Sequence, residues 1–382
     1  MNDEAFFAPL IRGAIIRKTG GPWTLCRDGA SSPEGLRIGL GENDRDRAAA
    51  LIGEALAGEK KIPRRIRIDF GGAEYGYLSA PDFAGVEELR RGRKEDWDAG
   101  RRTAAGRADV VRNRAVLVTG GAQGFGEEIV RGLAAAGALV CVADLNAAGA
   151  RALAEKLNGE YGKPVAFSAE VNVADEDSVR RMIETIALTT GGLDLCVSNA
   201  GVLRAASILE QDMASFKFVT DINYTAFAIV TKHCGLLMKA QHETAPGWMT
   251  DIIQINSKSG LDGSNKNGSY AGSKFGSVGL VQSFAKELVE YGIKVNAICP
   301  GNFYEGPLWS DPVKGLFVQY LNAGKVPGAK TVADVRAFYE AKVPMGRGCS
   351  GPDVMRAVFY LVEQEYETGQ ALPVTGGQVM LH

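Results

Sequence analysis

Residues 115–137 read AVLVTGGAQGFGEEIVRGLAAAG. An apolar run of strand character ends in a glycine-rich turn, and the turn opens into a stretch with helical periodicity. Gly120, Gly124 and Gly126 have the spacing GxxxGxG. In a chain with 48 glycines that spacing means little by itself. Its place between a strand and a helix gives it weight. Glycines permit the tight turn and let backbone N–H groups approach a pyrophosphate at the helix N-terminus. The next apolar run, LVCVADLN, ends in Asp144. A carboxylate there accepts both hydroxyls of an adenosine ribose and repels a 2′-phosphate. Leu145 and Asn146 offer no cation to offset it, so the pattern favours NAD over NADP. The plainer alternative is that Asp144 caps the following helix.

The alternation continues outward. PVAFSAEV, LDLCVSNAG, DIIQINS, IKVNAICPG and ALPVTG read as strands. Between them lie helical stretches, including a long one from about Phe216 to Ala240 and a last one from about Pro352 to Gln364. Strands alternating with helices predict an α/β fold, a doubly wound parallel sheet with helices on both faces. Residues 306–350 break the rhythm with extra glycines and prolines, as a substrate-loop insertion over a site does.

The chemistry gathers in Ser257–Lys274, SKSGLDGSNKNGSYAGSK. Tyr270 and Lys274 stand at i and i+4, on one face of a helix that the apolar positions Phe275, Val278, Val281, Phe284 and Leu288 carry to about Glu290. A free tyrosine titrates near pH 10, so a base working near neutrality needs its phenolate favoured by about 3 units, roughly 4 kcal/mol. A lysine ammonium one turn away supplies an opposite charge. Ser257 is placed to hydrogen-bond the oxygen of a bound alcohol or carbonyl. A tyrosine and a lysine on an ordinary surface helix are the bland reading of the same letters.

Upstream, residues 1–86 read as a small α/β module with no catalytic constellation. GAIIRK, WTLCRDG, LRIGL and RRIRIDFGG have strand character, and Asn43 is a candidate cap for a helix through DRDRAAALIGEALAG. Arg64, Arg65 and Arg67 form a solvated face or meet an anion. Residues 87–113, rich in arginine and carboxylate, read as a linker or a charged helix, and Trp97 favours docking over a loose tether. The 382 residues carry a net charge of −2, which argues against a generic nucleic-acid binder. The six cysteines form no CxxC and no cluster with histidine, so no metal site is expected. The longest apolar run, Leu133 to Ala143, is too short for a membrane span, and the acidic start is unlike a signal peptide. A cytoplasmic protein without membrane partners is expected.

Taken together, residues 114–382 resemble the short-chain dehydrogenase/reductase family. TGGAQGFG, Asp144, SNAG (Ser198 to Gly201), DINYTAF, the Ser257–Tyr270–Lys274 trio and ICPG follow in the family's order. The resemblance implies a Rossmann-type sheet of about seven strands, in a homodimer or homotetramer. It implies a catalytic set in which Tyr270 exchanges the hydroxyl proton, Lys274 lowers the tyrosine's pKa and holds the nicotinamide ribose, Ser257 positions the substrate oxygen, and Asn223 supports a proton-relay water. It places Gly120, Gln123, Gly124, Phe125, Gly126, Asp144, Asn172, Val173, Asn199, Gly201, Tyr270, Lys274, Pro300 and Gly301 around NAD. Asn172 stands where many members carry an aspartate, and Glu305 near a usual threonine of the nicotinamide contact. IIQINSKSG, KVPMGRGC and TGQALPVTGGQVM are similar to the sorbitol-6-phosphate 2-dehydrogenase branch, which acts on hexitol and ketose phosphates. The implied pair is sorbitol 6-phosphate and fructose 6-phosphate. The runner-up is another polyol, a deoxy-sugar phosphate or an unphosphorylated ketose. A dinucleotide-bound sensor or scaffold without turnover is the rival of another class. A substrate phosphate needs a cation or a helix N-terminus, and Lys258, Lys266 and Arg347 are the candidates.

Overall fold

The fold is that of a computed structural model describing residues 2–29, 35–91, 106–313, 315–322, 324 and 326–380. The expected docking of Trp97 lies outside the described residues. Two sheets organise the chain. The first has four strands, β1 (Thr24–Arg27), β2 (Leu36–Leu40), β3 (Arg65–Phe70) and β4 (Ala73–Ala80), in the order β1-β4-β3-β2. Helices α1 (Asp3–Thr19), α2 (Ala48–Gly58) and α3 (Phe83–Arg90) accompany it. Strands β3 and β4 pair as an antiparallel hairpin, while β2 runs parallel to β3 with α2 as the crossover.

Two local expectations change here. GAIIRK is the second half of α1, not a strand. Asn2 caps that helix by accepting from the Ala5 N–H at 2.8 Å. Residues from Ala5 to Ile16 are almost continuously buried, because α1 lies between its own sheet and the helices of the larger domain. A helix covered on every side shows no polar face for periodicity to find. Asn43 is not a cap: Asp44 holds the preceding turn by accepting from Gly41 N–H at 2.8 Å, and a short 3-10 turn, Arg45–Arg47, leads into α2. Arg65 pairs with Asp28 at 2.8 Å and Arg67 with Glu74 at 2.5 Å, so these two arginines serve the module itself.

The second sheet has seven parallel strands. They are β5 (Ala115–Thr119), β6 (Leu139–Asp144), β7 (Ala166–Glu170), β8 (Leu195–Ser198), β9 (Thr250–Ile255), β10 (Ile293–Pro300) and β11 (Ala371–Val374), in the order β11-β10-β9-β8-β5-β6-β7. This is the expected Rossmann-type doubly wound sheet. The strands β5, β8, β9 and β10 are buried along their whole length, as parallel strands covered on both faces are. One face carries α4 (Gly124–Ala135), α5 (Ala147–Tyr161) and, near the chain's end, α13 (Gly351–Glu363). The other carries α6 (Glu176–Thr190), α7 (Met213–Thr220), α8 (Ala226–Thr244) and α9 (Gly268–Leu288). The insertion folds as α10 (Pro307–Ser310), α11 (Leu316–Asn322) and α12 (Val332–Glu340) around an aromatic cluster of Tyr304, Trp309, Phe317, Tyr320 and Tyr339. The strand order reverses between β8 and β5, and a cleft at the carboxyl ends of such a switch point is where α/β sheets bind ligands.

Helix α1 packs on α8 at very close range. A Cβ on Gly13 would lie 2.2 Å from Thr244 Oγ1 and 2.3 Å from Gln241 O, so only glycine fits there. Among the described residues, no helix is long and apolar enough to cross a membrane.

Candidate active site

The turn after β5 is shaped by backbone. Gly120 and Gly124 both take left-handed conformations, with φ of 62° and 60°. A Cβ on Gly126 would sit 1.9 Å from Gly120 O, far inside van der Waals contact, so the turn closes only over hydrogen. Asn199 braces it from β8's end: its Nδ2 donates to Thr119 O at 3.1 Å and Gly120 O at 3.0 Å. The N-terminus of α4, preceded by Gln123, has no side-chain cap, leaving its first N–H groups directed at the cleft. Asp144 at the end of β6 accepts from Ala122 N–H at 3.0 Å and Asn146 N–H at 2.9 Å. It does not cap α5; Asn146 does, accepting from Gly149 N–H at 3.0 Å. An uncapped helix start, a turn closed over three glycines and a carboxylate one strand over fit a dinucleotide.

The remaining expected neighbours are spread round this cleft. Asn172 follows β7 and accepts from Ala174 N–H at 3.1 Å, while Val173 beside it is buried. Pro300 ends β10, and Gly301 N–H donates to Val374 O at 2.9 Å. Phe125, inside the glycine turn, stacks on Phe303 with ring centroids 4.4 Å apart. A phenylalanine three residues past β10 thus meets the turn, a contact that no local pattern in the sequence signals.

Tyr270 and Lys274 lie one turn apart near the start of α9, as the spacing predicts. Ser257 faces them: its side chain acts to lower the pKa of Tyr270, and its Oγ accepts from Ser259 N–H at 3.1 Å. Asn256 ties the two segments together. Its Oδ1 accepts from Ser257 N–H at 2.8 Å, and its Nδ2 donates to Lys274 O at 3.0 Å. Asn223 sits in a π-helical turn, Asp221–Thr225, between α7 and α8. It clamps Val202 through both backbone groups, at 2.8 and 2.9 Å, and donates to Ser273 Oγ at 3.2 Å. Gly201 lies close by: a Cβ there would be 3.2 Å from Asn223 Oδ1 and 3.7 Å from Lys274 Nζ. Under this group is a pocket of about 10 Å³ lined by Asn223, Lys274, Thr119 and Ser198, close to the room one water needs.

The electrostatics depart from expectation. Lys274 is 4% exposed, and its Nζ donates to Ile255 O at 3.0 Å. Burial lowers its pKa to about 8. Burial also raises Tyr270, against the opposing effect of Ser257. The expected lowering of the tyrosine by Lys274 is not what governs this state. The ammonium is 5.8 Å from the tyrosine ring centroid and points at a carbonyl, so desolvation prevails. Cys299 beside them is held as a neutral thiol, pushed up to about 12 by burial.

The three substrate candidates separate. Lys258 is half-buried immediately after Ser257. Lys266 is exposed and strained, at φ 54°. Arg347 is committed elsewhere: its two terminal nitrogens bind Asp353 at 2.6 and 3.0 Å, in the first turn of α13. Glu305 is likewise drawn into the insertion, where it pairs with Arg336. Among the described residues no group of three or more His, Cys, Asp or Glu is placed to hold a metal.

The short chain dehydrogenase family matches residues 114–310. The chain belongs to this family, whose members act on alcohol and ketone groups with NAD or NADP. Among its relatives is sorbitol-6-phosphate 2-dehydrogenase of Escherichia coli (strain K12), 36% identical over 70% of this chain and 99% of that one. The crystal structure of sorbitol-6-phosphate 2-dehydrogenase from Erwinia amylovora is similar at a TM-score of 0.64 and 38% identity, covering 70% of this chain and 100% of the other. The chain is also 34% identical to 2-dehydro-3-deoxy-D-gluconate 5-dehydrogenase of Formosa agariphila, over 61% of this chain and 87% of that one.

Proposed function

We propose that the protein is an NAD-dependent oxidoreductase that interconverts a hexitol phosphate and its ketose, with sorbitol 6-phosphate and fructose 6-phosphate as the pair. The observation that carries the chemistry is Lys274: a buried ammonium with a carbonyl as its hydrogen-bond acceptor, one turn from Tyr270 and joined through Asn256 to Ser257. The substrate rests on similarity to the two sorbitol-6-phosphate dehydrogenases. The choice of NAD rests on Asp144, which puts negative charge where a 2′-phosphate would lie.

A bound nicotinamide supplies or accepts the hydride. The protein's residues handle the oxygen and the proton. Ser257 Oγ donates a hydrogen bond to the carbonyl oxygen and draws negative charge onto it. Tyr270 Oη gives that oxygen its proton during reduction and takes it back during oxidation. Burial keeps the tyrosine protonated in the free protein, which is the form reduction needs. Lys274 stabilises the phenolate left behind. Asn223, fixed by Val202 and Ser273, borders the pocket where a water can pass the proton on.

The test is NADH oxidation with fructose 6-phosphate, run beside fructose and beside NADPH. Preference for NADH and for the phosphate is expected. Turnover on a different ketone alone would remove the sorbitol-phosphate assignment. Equal use of NADPH would remove the role given to Asp144, and cofactor binding without turnover on any polyol or ketose would favour a sensor.

A further inference from the structure

We propose that Gln254, together with Asn256, is a positioning residue for the reaction: Gln254 holds a water in the pocket beside Lys274, and Asn256 locks Gln254 to Ser257 and to α9. This rests on the functional reading above and adds residues outside the set of Ser257, Tyr270, Lys274 and Asn223.

The two amides stand two residues apart at the carboxyl end of β9, so both side chains leave the same face of the sheet. Ile252, two residues earlier, packs in one cluster with Val281 and Ala285 of α9, which marks that face as the one α9 covers. Both amides are buried, Gln254 at 3% exposure and Asn256 at 4%. Asn256 is satisfied within the protein. Its Oδ1 accepts from Ser257 N–H at 2.8 Å, and its Nδ2 donates to Lys274 O at 3.0 Å and to Gln254 Oε1 at 2.8 Å. The space around it is tight: a Cβ on Gly260 would lie 2.1 Å from Asn256 Oδ1, so an alanine there would push the amide aside. The reacting serine, the helix of Tyr270 and Gln254 are thus tied through one side chain.

Gln254 is left with a donor. Its Oε1 takes the hydrogen bond from Asn256, and among the described residues its Nε2 meets no acceptor. Leaving a buried amide donor unmet is unfavourable. Gln254 borders the pocket of about 10 Å³, with Lys274, Asn223, Ser198 and Thr119 on its other sides. That is close to the room one water needs. A water there is an acceptor for Nε2. It also meets Lys274, whose ammonium has three N–H donors and gives one to Ile255 O. Thr119 Oγ1 already accepts from the N–H groups of Asn199 and Ala200, at 3.1 and 3.2 Å, which leaves its own hydrogen to donate. Reduction takes up one proton. Lys274 passes it toward the Tyr270 phenolate, the water returns one to Lys274, and solvent restores the water. Gln254 keeps the water in line for that transfer, and Asn256 keeps Gln254 in register with Ser257.

The experiment uses the full-length protein with NADH and fructose 6-phosphate. It compares wild type with Gln254→Met, Asn256→Ala, Gly260→Ala and the double variant of the last two. Gln254→Met keeps the length of the side chain and removes the donor. It should lower kcat about tenfold, the scale of one hydrogen bond. It should leave both KM values unchanged and raise the solvent deuterium isotope effect on kcat, because proton delivery becomes limiting. Asn256→Ala should lower kcat about a hundredfold, the scale of a misplaced reacting group. Gly260→Ala should lower it too, by displacing the Asn256 amide, and should add little once residue 256 is alanine. NADH binding, followed by fluorescence, should match wild type in every variant and shows that each is folded. An unchanged kcat or isotope effect in Gln254→Met overturns the water-holding role, whatever Asn256→Ala does. Additive losses in the double variant overturn the lock at Asn256. If the wild type turns over another ketone and not fructose 6-phosphate, the functional reading fails, and the same comparisons on that ketone decide the fate of the pair.

Discussion

Two buried charges at opposite ends of the large sheet, Asp194 and Lys274, are treated oppositely. At the amino end, Asp194 precedes β8 and is saturated. Arg12 binds it at 2.6 and 3.0 Å, Ala115 N–H at 2.8 Å and Trp248 Nε1 at 2.9 Å. Arg12 is itself fully buried, and its Nε donates to Trp23 O at 2.6 Å. Burial pushes the Asp194 carboxyl up, but Arg12, Arg114 and the Ala115 N–H outweigh it and hold the pKa below the usual carboxylate value. At the carboxyl end, Lys274 has a carbonyl and, among the described residues, no carboxylate at ion-pair distance, and burial prevails. A buried charge with every lone pair answered holds a fold together. A buried charge left short is available to a ligand. By this measure the N-terminal module belongs to the floor of the fold: α1 supplies the arginine that pairs with the buried Asp194.

The largest effect that separates the two ends concerns turnover. Tyr270→Phe should lower kcat by about a thousandfold while leaving the urea midpoint near that of wild type, since the change removes one hydroxyl and keeps the ring. Normal turnover in this variant would sink the mechanism. The mirror change is Arg12→Met. Removing one partner of a buried pair should cost about 3–5 kcal/mol, read by urea unfolding, with kcat per folded molecule unchanged because Arg12 lies at the opposite end of the strands. A loss below about 1 kcal/mol, the scale of an exposed pair, would show that Asp194 finds other partners and that the module merely rests on the domain.

The same contrast explains what could be read in the letters. The alternation of strands and helices from Ala115 onward, the glycine turn and the Tyr270–Lys274 spacing are local, so they were legible. Asp144 was legible by its place at a strand end. The Arg12–Asp194 pair joins residues 182 apart in sequence, and nothing near either one announces it. Helix α1 hid because its middle is covered on every side, so no polar face marks a helical period. Phe303 hid because its partner, Phe125, is brought to it by the fold. Arg347, a candidate for substrate phosphate or for a salt bridge, is held by Asp353, six residues on, at 2.6 Å. The tyrosine's environment also escaped a pairwise view. Spacing shows that a cation is one turn away, but burial acts on both groups and is a property of the whole packing.

The smallest effect asks whether Lys274 is left short at the expense of stability. Its pKa falls from 10.5 to about 8 on folding. Between those values the unfolded chain binds the proton and the folded chain does not, so stability rises as pH climbs from about 8 to about 10.5. Below about 8 both states are charged and the folded state bears the full desolvation cost, roughly 3 kcal/mol for a shift of this size. Lys274→Met removes that cost but leaves Ile255 O without its donor, a loss of about 1 kcal/mol. The variant should therefore be more stable than wild type at pH 7 by about 2 kcal/mol, and this advantage should vanish by pH 10.5, while turnover falls. Urea unfolding of both proteins at pH 7 and pH 10.5 reads the difference. A variant less stable than wild type at pH 7 would mean that the ammonium is satisfied where it sits, and the contrast between the two ends of the sheet would not hold.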